Sequence, residues 1–306
     1  PEPEPEGISR ALALQLQKEE VVLSSLPEDD SVPKRKGGRW SWCVGLVGKP
    51  SAGKSTYFNA VAGSELAKVG ATPFTTIDPN VYCATVAVDG PVVDGTVVRC
   101  PVSITIKDVA GLVPGACDGR GKGNRFLNDL CDADVLVHII DGSGKSDEQG
   151  VRDEQGGHDI VNDVQWIHAE LQRWILDNLR AKWQTVQRKP EHLYDMLTGY
   201  QAQRWLTHEA LRIAGVLDGG DLATSLPTWS DETLSKVVDH FLAVRFPTVL
   251  AANKCDDEAA AANVAKLQEV LGSQGELGDG AVRAVVPLSA RLECELQRLA
   301  ASGVIG

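Results

Sequence analysis

The segment GLVGKPSAGKST, residues 45–56, constrains the fold of this 306-residue chain more than any other stretch. It contains Gly48, four further residues, and then Gly53, Lys54 and Ser55. This spacing is typical of a loop whose backbone N–H groups surround a phosphate at the start of a helix. The apolar run WCVGLV predicts a buried strand before the loop, and KSTYFNAVAG predicts a helix after it that ends at a glycine. A glycine-rich turn without a ligand is the alternative interpretation.

The chemistry of a phosphate loop assigns roles to its side chains. Lys54 would reach the β- and γ-phosphates, and the Ser55 hydroxyl would coordinate Mg²⁺. Gly48 allows the tight exit from the strand. The residues predicted to contact the nucleotide here are Gly48, Lys49, Pro50, Ser51, Ala52, Gly53, Lys54, Ser55 and Thr56.

Two later segments have the composition of elements that sense a γ-phosphate. Asp108 follows the apolar run VSITIK and would hold Mg²⁺ through water, while the Gly111 N–H can meet the γ-phosphate. Thr75 and Thr76, in the proline-bounded segment GATPFTTIDPN, are candidates to close over the metal. A plain turn between a helix and a strand is the alternative for that segment. Leu112, the next residue after the glycine, has no group that could position an attacking water.

The motif AANKCD, at the end of a later apolar strand, is predicted to select the base. The carboxylate of Asp256 would accept hydrogen bonds from N1–H and the exocyclic amine of guanine, a pair of donors that adenine lacks. Lys254 would lie over the base plane, and Asn253 would tie the motif to the phosphate loop. PLSAR ends the next strand and places the backbone of Ser289 and Ala290 near the guanine O6. The order of these motifs after the phosphate loop favours GTP as the ligand.

Strand and helix patterns alternate along most of the chain, which predicts an α/β fold. The expected architecture is a P-loop NTPase, Rossmann-like and three-layered, with a mostly parallel sheet and an inserted α-helical domain. We predict a partly disordered extension over 1–40, a nucleotide-binding domain over 41–150 and 247–306, and a helical insertion over 151–246.

Apolar residues recur at helical spacing within the predicted insertion. The stripe consists of Val161, Val164, Ile167, Leu171, Trp174, Ile175 and Leu179, and Trp183 and Val186 extend it. The tryptophans at 166, 174, 183 and 205 are predicted to form the core of this region rather than a platform for nucleic acid. Asp159 is predicted to cap the first helix. His138, inside VLVHII, is predicted to be a packed core histidine rather than a general base.

Composition and charge exclude some classes of protein. The net charge of −12 disfavours general nucleic-acid binding, and no direct DNA binding is expected. No apolar run approaches the roughly 18 residues that a membrane-spanning helix needs. Seven scattered cysteines, with no C-x-x-C pair, predict reduced thiols and a cytoplasmic location.

Seven motifs together resemble the Obg-related GTPases of the TRAFAC class, and within them the YchF-like branch in its archaeal-type form. The motifs are GKPSAGKST, PFTTIDPN, DVAGLVPGA, GRGKGNRFLNDL, HIID, NKCD and PLSA. The resemblance implies a Mg²⁺-dependent GTP switch with slow hydrolysis that acts in translation or on a ribosomal particle. The resemblance also makes Thr76 the switch threonine. Lys54, Thr76 and Gly111 form the predicted catalytic set. Ser55, Thr76 and Asp108 form the predicted metal set.

Family members carry an apolar residue where other GTPases have glutamine, so Leu112 fits the family pattern. Two features of this sequence depart from that pattern. Ser51 stands where many relatives have an asparagine that could help hold a monovalent cation, which places stimulation by K⁺ in doubt. Relatives continue into a small β-rich TGS domain after the last nucleotide motif, and the chain is predicted to be a fragment without it. Two alternatives stay open: a nucleotide-gated binding module with negligible turnover, and an ATPase, which Asp256 disfavours.

Overall fold

The computed structural model describes residues 41–64, 66–67, 80–93, 96–109, 128–153, 155–217, 222–272 and 281–304. The predicted extension over 1–40 lies outside these ranges, as do Thr75, Thr76, Gly111 and Leu112. Residues 119–127 of the motif GRGKGNRFLNDL also lie outside them.

A six-stranded mixed sheet forms the centre of the molecule. Its strands are β1 (Ser41–Val47), β2 (Asn80–Val93), β3 (Thr96–Asp108), β4 (Val135–Asp141), β5 (Thr248–Asn253) and β6 (Val282–Pro287). The order across the sheet is β2-β3-β1-β4-β5-β6, and β2 is antiparallel to β3 while the other neighbouring pairs are parallel. The predicted α/β P-loop architecture is therefore confirmed. Because β1, β3, β4, β5 and β6 run in one direction, their carboxyl ends meet at one edge, where α/β folds bind ligands.

The central strands are apolar because both faces of a parallel sheet are covered. Leu136, Ile139 and Ile140 of β4 are buried, as are Leu250 and Ala251 of β5. Several helices in the described part of the chain follow strands of this sheet. Among them are α1 (Lys54–Ala62) after β1, α8 (Ala260–Gly272) after β5 and α9 (Ala290–Ala301) after β6. Helix α1 ends at Gly63 in the left-handed conformation, as the sequence predicts.

Helices fill the chain between β4 and β5 in the described part. They are α2 (Ile160–Ala181), α3 (Trp183–Arg188), α4 (Glu191–Thr198), α5 (Arg204–Ile213), α6 (Leu222–Ser225), a 3₁₀ turn (Leu226–Thr228) and α7 (Asp231–Arg245). We call residues 160–245 the helical region; the boundaries predicted for an inserted domain remain a prediction. The Asp159 side chain accepts a hydrogen bond from the Val161 N–H, which confirms the predicted cap of α2.

The helical region has a core of buried aliphatic side chains, with tryptophans packed around it. Trp166, Trp174 and Trp183 are partly buried against this core, as predicted. Trp205 is 47% exposed, so its assignment to the core was wrong. It lies in the first turn of α5, and its indole N–H donates to Gln203 at the amino-terminal boundary of that helix. Trp183 begins a new helix after a turn at Lys182 rather than extending α2.

A buried arginine ties the helical region to the sheet. The Arg245 guanidinium donates to the backbone carbonyls of Tyr200 at 2.8 Å, Ala133 at 2.7 Å and Cys131 at 2.5 Å. It also lies over the Phe246 ring, with Cζ 4.4 Å from the ring centroid. One side chain thus fixes the end of α7 against both the helical region and the turn before β4.

In the part of the chain that the structure describes, no helix combines the length and apolar character needed to cross a membrane.

Candidate nucleotide-binding site

The loop between β1 and α1 can be built only with glycine at its two ends. Gly48 has φ +148° and Gly53 has φ +101°, in the left-handed region that other residues rarely adopt. A Cβ on Gly48 would collide with the Ile139 carbonyl, and one on Gly53 would collide with the Asn253 amide. Ser51 also has a positive φ, at +60°. The glycines therefore let the loop press against β4 and β5 while it turns into the helix.

Lys54 lies inside this loop and is almost fully buried. Its ammonium donates to the carbonyls of Gly48 at 3.0 Å and Lys49 at 2.9 Å. Burial lowers the pKa of Lys54 to about 8, and the nearby Asp108 carboxylate opposes that shift. The loop thus holds a desolvated cation, which is the group that a polyphosphate would stabilise best. The structure describes the remaining residues predicted to contact the nucleotide here: Pro50 and Ala52 lie in the loop, and Thr56 lies in the first turn of α1.

A carboxylate and a hydroxyl meet beside Lys54 at the end of β3. The Ser55 hydroxyl donates to Asp108 Oδ2 at 2.8 Å, and the Asn80 amide lies 3.5 Å from the same oxygen. Asp108 is fully buried, and its Oδ1 has no hydrogen-bond partner among the described residues. Burial raises the pKa of Asp108, against the opposing effects of Ser55, Lys54 and Asn80. An orphaned carboxylate oxygen beside a hydroxyl is a hard-oxygen pair, and it fits Mg²⁺ or its bound water.

Asn253 joins the three loops that the sequence assigns to the nucleotide. Its amide N–H donates to the Ala52 carbonyl of the phosphate loop at 2.9 Å. Its amide oxygen accepts from the Ala290 N–H, at the start of α9, also at 2.9 Å. Asn253 is only 3% exposed, so both hydrogen bonds are shielded from water. The predicted link between the base motif and the phosphate loop is present.

Lys254 is held by a carboxylate that the sequence reasoning did not select. Its ammonium lies 2.8 Å from Asp141 Oδ2, at the end of β4. Asp141 also accepts from the Ser143 hydroxyl at 2.6 Å and the Ser146 hydroxyl at 2.5 Å. Burial raises the pKa of Asp141, but Lys254 and the two hydroxyls outweigh burial and bring it below its ordinary value. Lys254 has φ +65°, and this ion pair stabilises the strained turn.

Asp256, the carboxylate predicted to read the base, accepts hydrogen bonds from two donors. Ser289 Oγ donates to its Oδ1 at 2.6 Å, and Arg291 Nη2 donates to its Oδ2 at 2.7 Å. The Asp256 side chain is 19% exposed and Arg291 is 69% exposed. A carboxylate oxygen can accept more than one hydrogen bond, so both oxygens keep capacity for guanine. Arg291 was not selected from the sequence, although it follows the PLSA motif directly.

The Lys49 side chain contacts the segment after β4 and the start of α2. Its ammonium donates to the Ser146 carbonyl at 2.6 Å and lies 2.8 Å from Asp163 Oδ2. Any nucleotide contact by Lys49 would therefore come from its backbone. No pattern in the sequence pairs Asp163 with the phosphate loop, because the two residues meet only through the fold. Thr76 and Gly111, the other predicted catalytic residues, lie outside the described ranges.

His138 has the predicted role of a core residue. It is 2% exposed, and burial lowers its pKa to about 3, with Lys54 and Lys49 contributing to the shift. Its Nε2 has no hydrogen-bond partner among the described residues. With this pKa the imidazole is neutral at pH 7, as expected of a buried core residue.

Comparison with known proteins identifies similar chains. A family model described as a 50S ribosome-binding GTPase matches residues 43–175. An uncharacterized GTP-binding protein of Schizosaccharomyces pombe is 40% identical over 246 residues, 73% of this chain and 58% of that protein. The ribosome-binding ATPase YchF of Haemophilus ducreyi is 30% identical over 263 residues, 83% of this chain and 67% of that protein. The chain thus spans between about half and two thirds of these relatives.

Among solved structures, a GTP-binding protein from Pyrococcus horikoshii matches with a TM-score of 0.61 at 23% identity. The match covers 86% of this chain and 69% of that one. At this identity the likeness supports the fold alone.

Proposed function

Because the chain belongs to the YchF/Obg-like family of P-loop GTPases, we propose that it hydrolyses GTP to GDP and phosphate with Mg²⁺. The observation that carries the proposal is the position of Asn253, which hydrogen-bonds both the phosphate loop and the Ser289–Ala290 turn. That link supports a single site in which Lys54 would hold the phosphates and Asp256 would read the base, as a guanine nucleotide requires. We propose residues 41–150 and 247–306 as the nucleotide-binding domain, and 151–246 as its insertion.

The residues divide the chemistry between them. Ser55, Asp108 and Thr76 would hold Mg²⁺, which when bound neutralises charge on the phosphate oxygens. Lys54 and the loop N–H groups would stabilise the negative charge on the transferring phosphoryl group during in-line attack of water. The carbonyls of Gly48 and Lys49 accept two of the three hydrogen bonds that the Lys54 ammonium can donate, so they can orient it while the third is donated to a phosphate. Gly111 would contact the γ-phosphate through its backbone.

Positioning of the attacking water requires a group other than the side chain at position 112. Leu112 occupies the place of the usual glutamine and offers no hydrogen bond. A backbone group, another residue of the switch segments, a bound cation or a partner would have to position the water. Intrinsic turnover is therefore expected to be slow, with acceleration by a partner.

A ribosomal particle is the partner that we propose. The support is the description of the matching family model and the name of the Haemophilus relative. Hydrolysis would release the segments around Thr76 and Gly111 and change the surface presented to that partner. This activity would take place in the cytoplasm.

One observation favours a second candidate, a nucleotide-gated binding module with negligible turnover: the leucine at position 112. Single-turnover phosphate release distinguishes the two. The chain would be mixed with GTP or ATP and Mg²⁺, in K⁺ and then in Na⁺ buffer, with Lys54→Ala as the blank. GTP-specific release that disappears in Lys54→Ala would support the hydrolase. Tight GTP binding without release would support the module, and preferential ATP turnover would refute the base assignment.

A further inference from the structure

We propose that Asp163, in the first turn of α2, is a positioning residue for nucleotide binding. Its buried ion pair with Lys49 would fix the outer end of the phosphate loop against the helical region. The inference rests on the nucleotide-binding part of the proposed function and does not require hydrolysis.

The pair is shielded from water on both sides. Lys49 and Asp163 are each 1% exposed, and Nζ lies 2.8 Å from Oδ2. The contact is an ion pair rather than a directed hydrogen bond, while the Lys49 ammonium donates to the Ser146 carbonyl at 2.6 Å. The other carboxylate oxygen of Asp163 lies 2.9 Å from His158 Nε2. Asp163 is thus held at the start of α2 and holds Lys49 in turn.

Lys49 passes this constraint to the phosphate site through its own backbone. The Lys49 carbonyl accepts a hydrogen bond from the Lys54 ammonium at 2.9 Å. The next residue, Pro50, packs on Gly150, which has φ +80° and where a Cβ would collide with the Pro50 carbonyl. Two adjacent loop residues are therefore fixed from outside the cradle, one by charge and one by close backbone contact. A shift of Asp163 would move a carbonyl that sets the position of the catalytic lysine.

The same anchor reaches the base side of the site. Ser146, whose carbonyl accepts from Lys49, uses its hydroxyl to contact Asp141 at 2.5 Å. Asp141 holds Lys254 at 2.8 Å. Lys49 and Lys254 are thus linked through two residues, Ser146 and Asp141.

Energetics argue that the pair is more than a packing contact. Two charges taken out of water seldom stabilise a fold more than an apolar pair of the same volume would. The ion pair does impose a distance and a direction on the loop, which an apolar contact does not. When both charges are removed, the stability of the fold should therefore be retained while the nucleotide dissociates faster.

The test is the dissociation rate of N-methylanthraniloyl-GDP from the 306-residue chain, measured beside thermal stability. Asp163→Leu leaves the buried Lys49 ammonium without its carboxylate, and Lys49→Met leaves the buried Asp163 carboxylate without its ammonium, so both should lower the melting temperature and accelerate dissociation. The expected acceleration is about 2- to 30-fold, the range of coupling between packed residues and a distant ligand. In Asp163→Leu/Lys49→Met the melting temperature should recover while dissociation stays accelerated.

Two controls isolate positioning from folding. Asp159→Asn keeps a cap for α2 but removes the exposed ion pair with Lys266, and it should leave dissociation unchanged. Leu179→Ala removes a fully buried side chain of the helical region and should lower stability without changing dissociation.

The inference is overturned if the double variant recovers slow dissociation together with stability, or if Leu179→Ala accelerates dissociation as much as Asp163→Leu. Failure of the unaltered chain to bind the probe would overturn both this inference and the proposed function. Binding without phosphate release would remove only the proposed hydrolysis.

Discussion

Replacing Asn253 with alanine should disconnect the phosphate loop from the loops after β5 and β6, which we propose to read the base. The change removes the donor to the Ala52 carbonyl and the acceptor for the Ala290 N–H. Both bonds are shielded, because Asn253 is only 3% exposed. A buried polar group without a partner costs about 1–3 kcal/mol. Two such groups predict a loss of about 2–6 kcal/mol in the free energy of unfolding.

The assay is urea unfolding of both proteins without nucleotide, followed by titration with GDP. Asn263→Ala is the matched control, because its amide donates one hydrogen bond, to the Gly142 carbonyl, from a half-buried position. That control should lose about 0.5–1.5 kcal/mol and keep its affinity for GDP. If Asn253→Ala lost no more stability than the control, or bound GDP normally, the three loops would not depend on this amide.

Two further predictions concern charge. The folded-state pKa of Lys54 is about 8, below its ordinary value of 10.5, so between these values the unfolded chain binds a proton that the folded chain has released. Without nucleotide, the free energy of unfolding should therefore rise by up to about 3 kcal/mol from pH 8 to pH 10.5 relative to that of Lys54→Met. Urea unfolding at a series of pH values measures this, and the same change with pH in both proteins would contradict the prediction. Asp256→Asn should weaken GDP binding by at least about 100-fold, because the new amide presents a donor to the donors of guanine. XDP, whose 2-oxo group can accept from that amide, should bind the variant better than GDP does, and unchanged GDP affinity would refute the base assignment.

The sequence predicted the elements whose signal is local. The phosphate loop needs glycine at two fixed places, and both glycines have the positive φ that the motif implies. The strand before the loop and the strand that ends at Asn253 are largely apolar runs. Their positions could therefore be predicted without knowing which strands pair with them. Asn253 itself was predicted because its motif is short and comes in a fixed order after the phosphate loop.

Residues that act through distant contacts could not be found this way. Asp141 and Asp163 are acidic residues in ordinary positions, a strand end and the first turn of a helix, and only the fold brings them to Lys254 and Lys49. Trp205 shows the opposite error. An apolar residue in a helical pattern was assigned to the core, although helical spacing alone does not decide which face of a short helix is covered.

The hydrogen bond between Asn253 and Ala52 joins residues 201 positions apart in the chain, and its other partner is Ala290. A contact of such long range closes a large loop, and the entropic cost of closing it grows with the number of residues between its ends. The helical region between β4 and β5 can shorten that separation by folding on local contacts. A chain still under synthesis cannot form the hydrogen bond from the Ala290 N–H until residue 290 has left the ribosomal tunnel. Until then the amide oxygen of Asn253 lacks the acceptor role that it has in the folded protein, so the loops after β5 and β6 become joined only when β6 and the start of α9 are present.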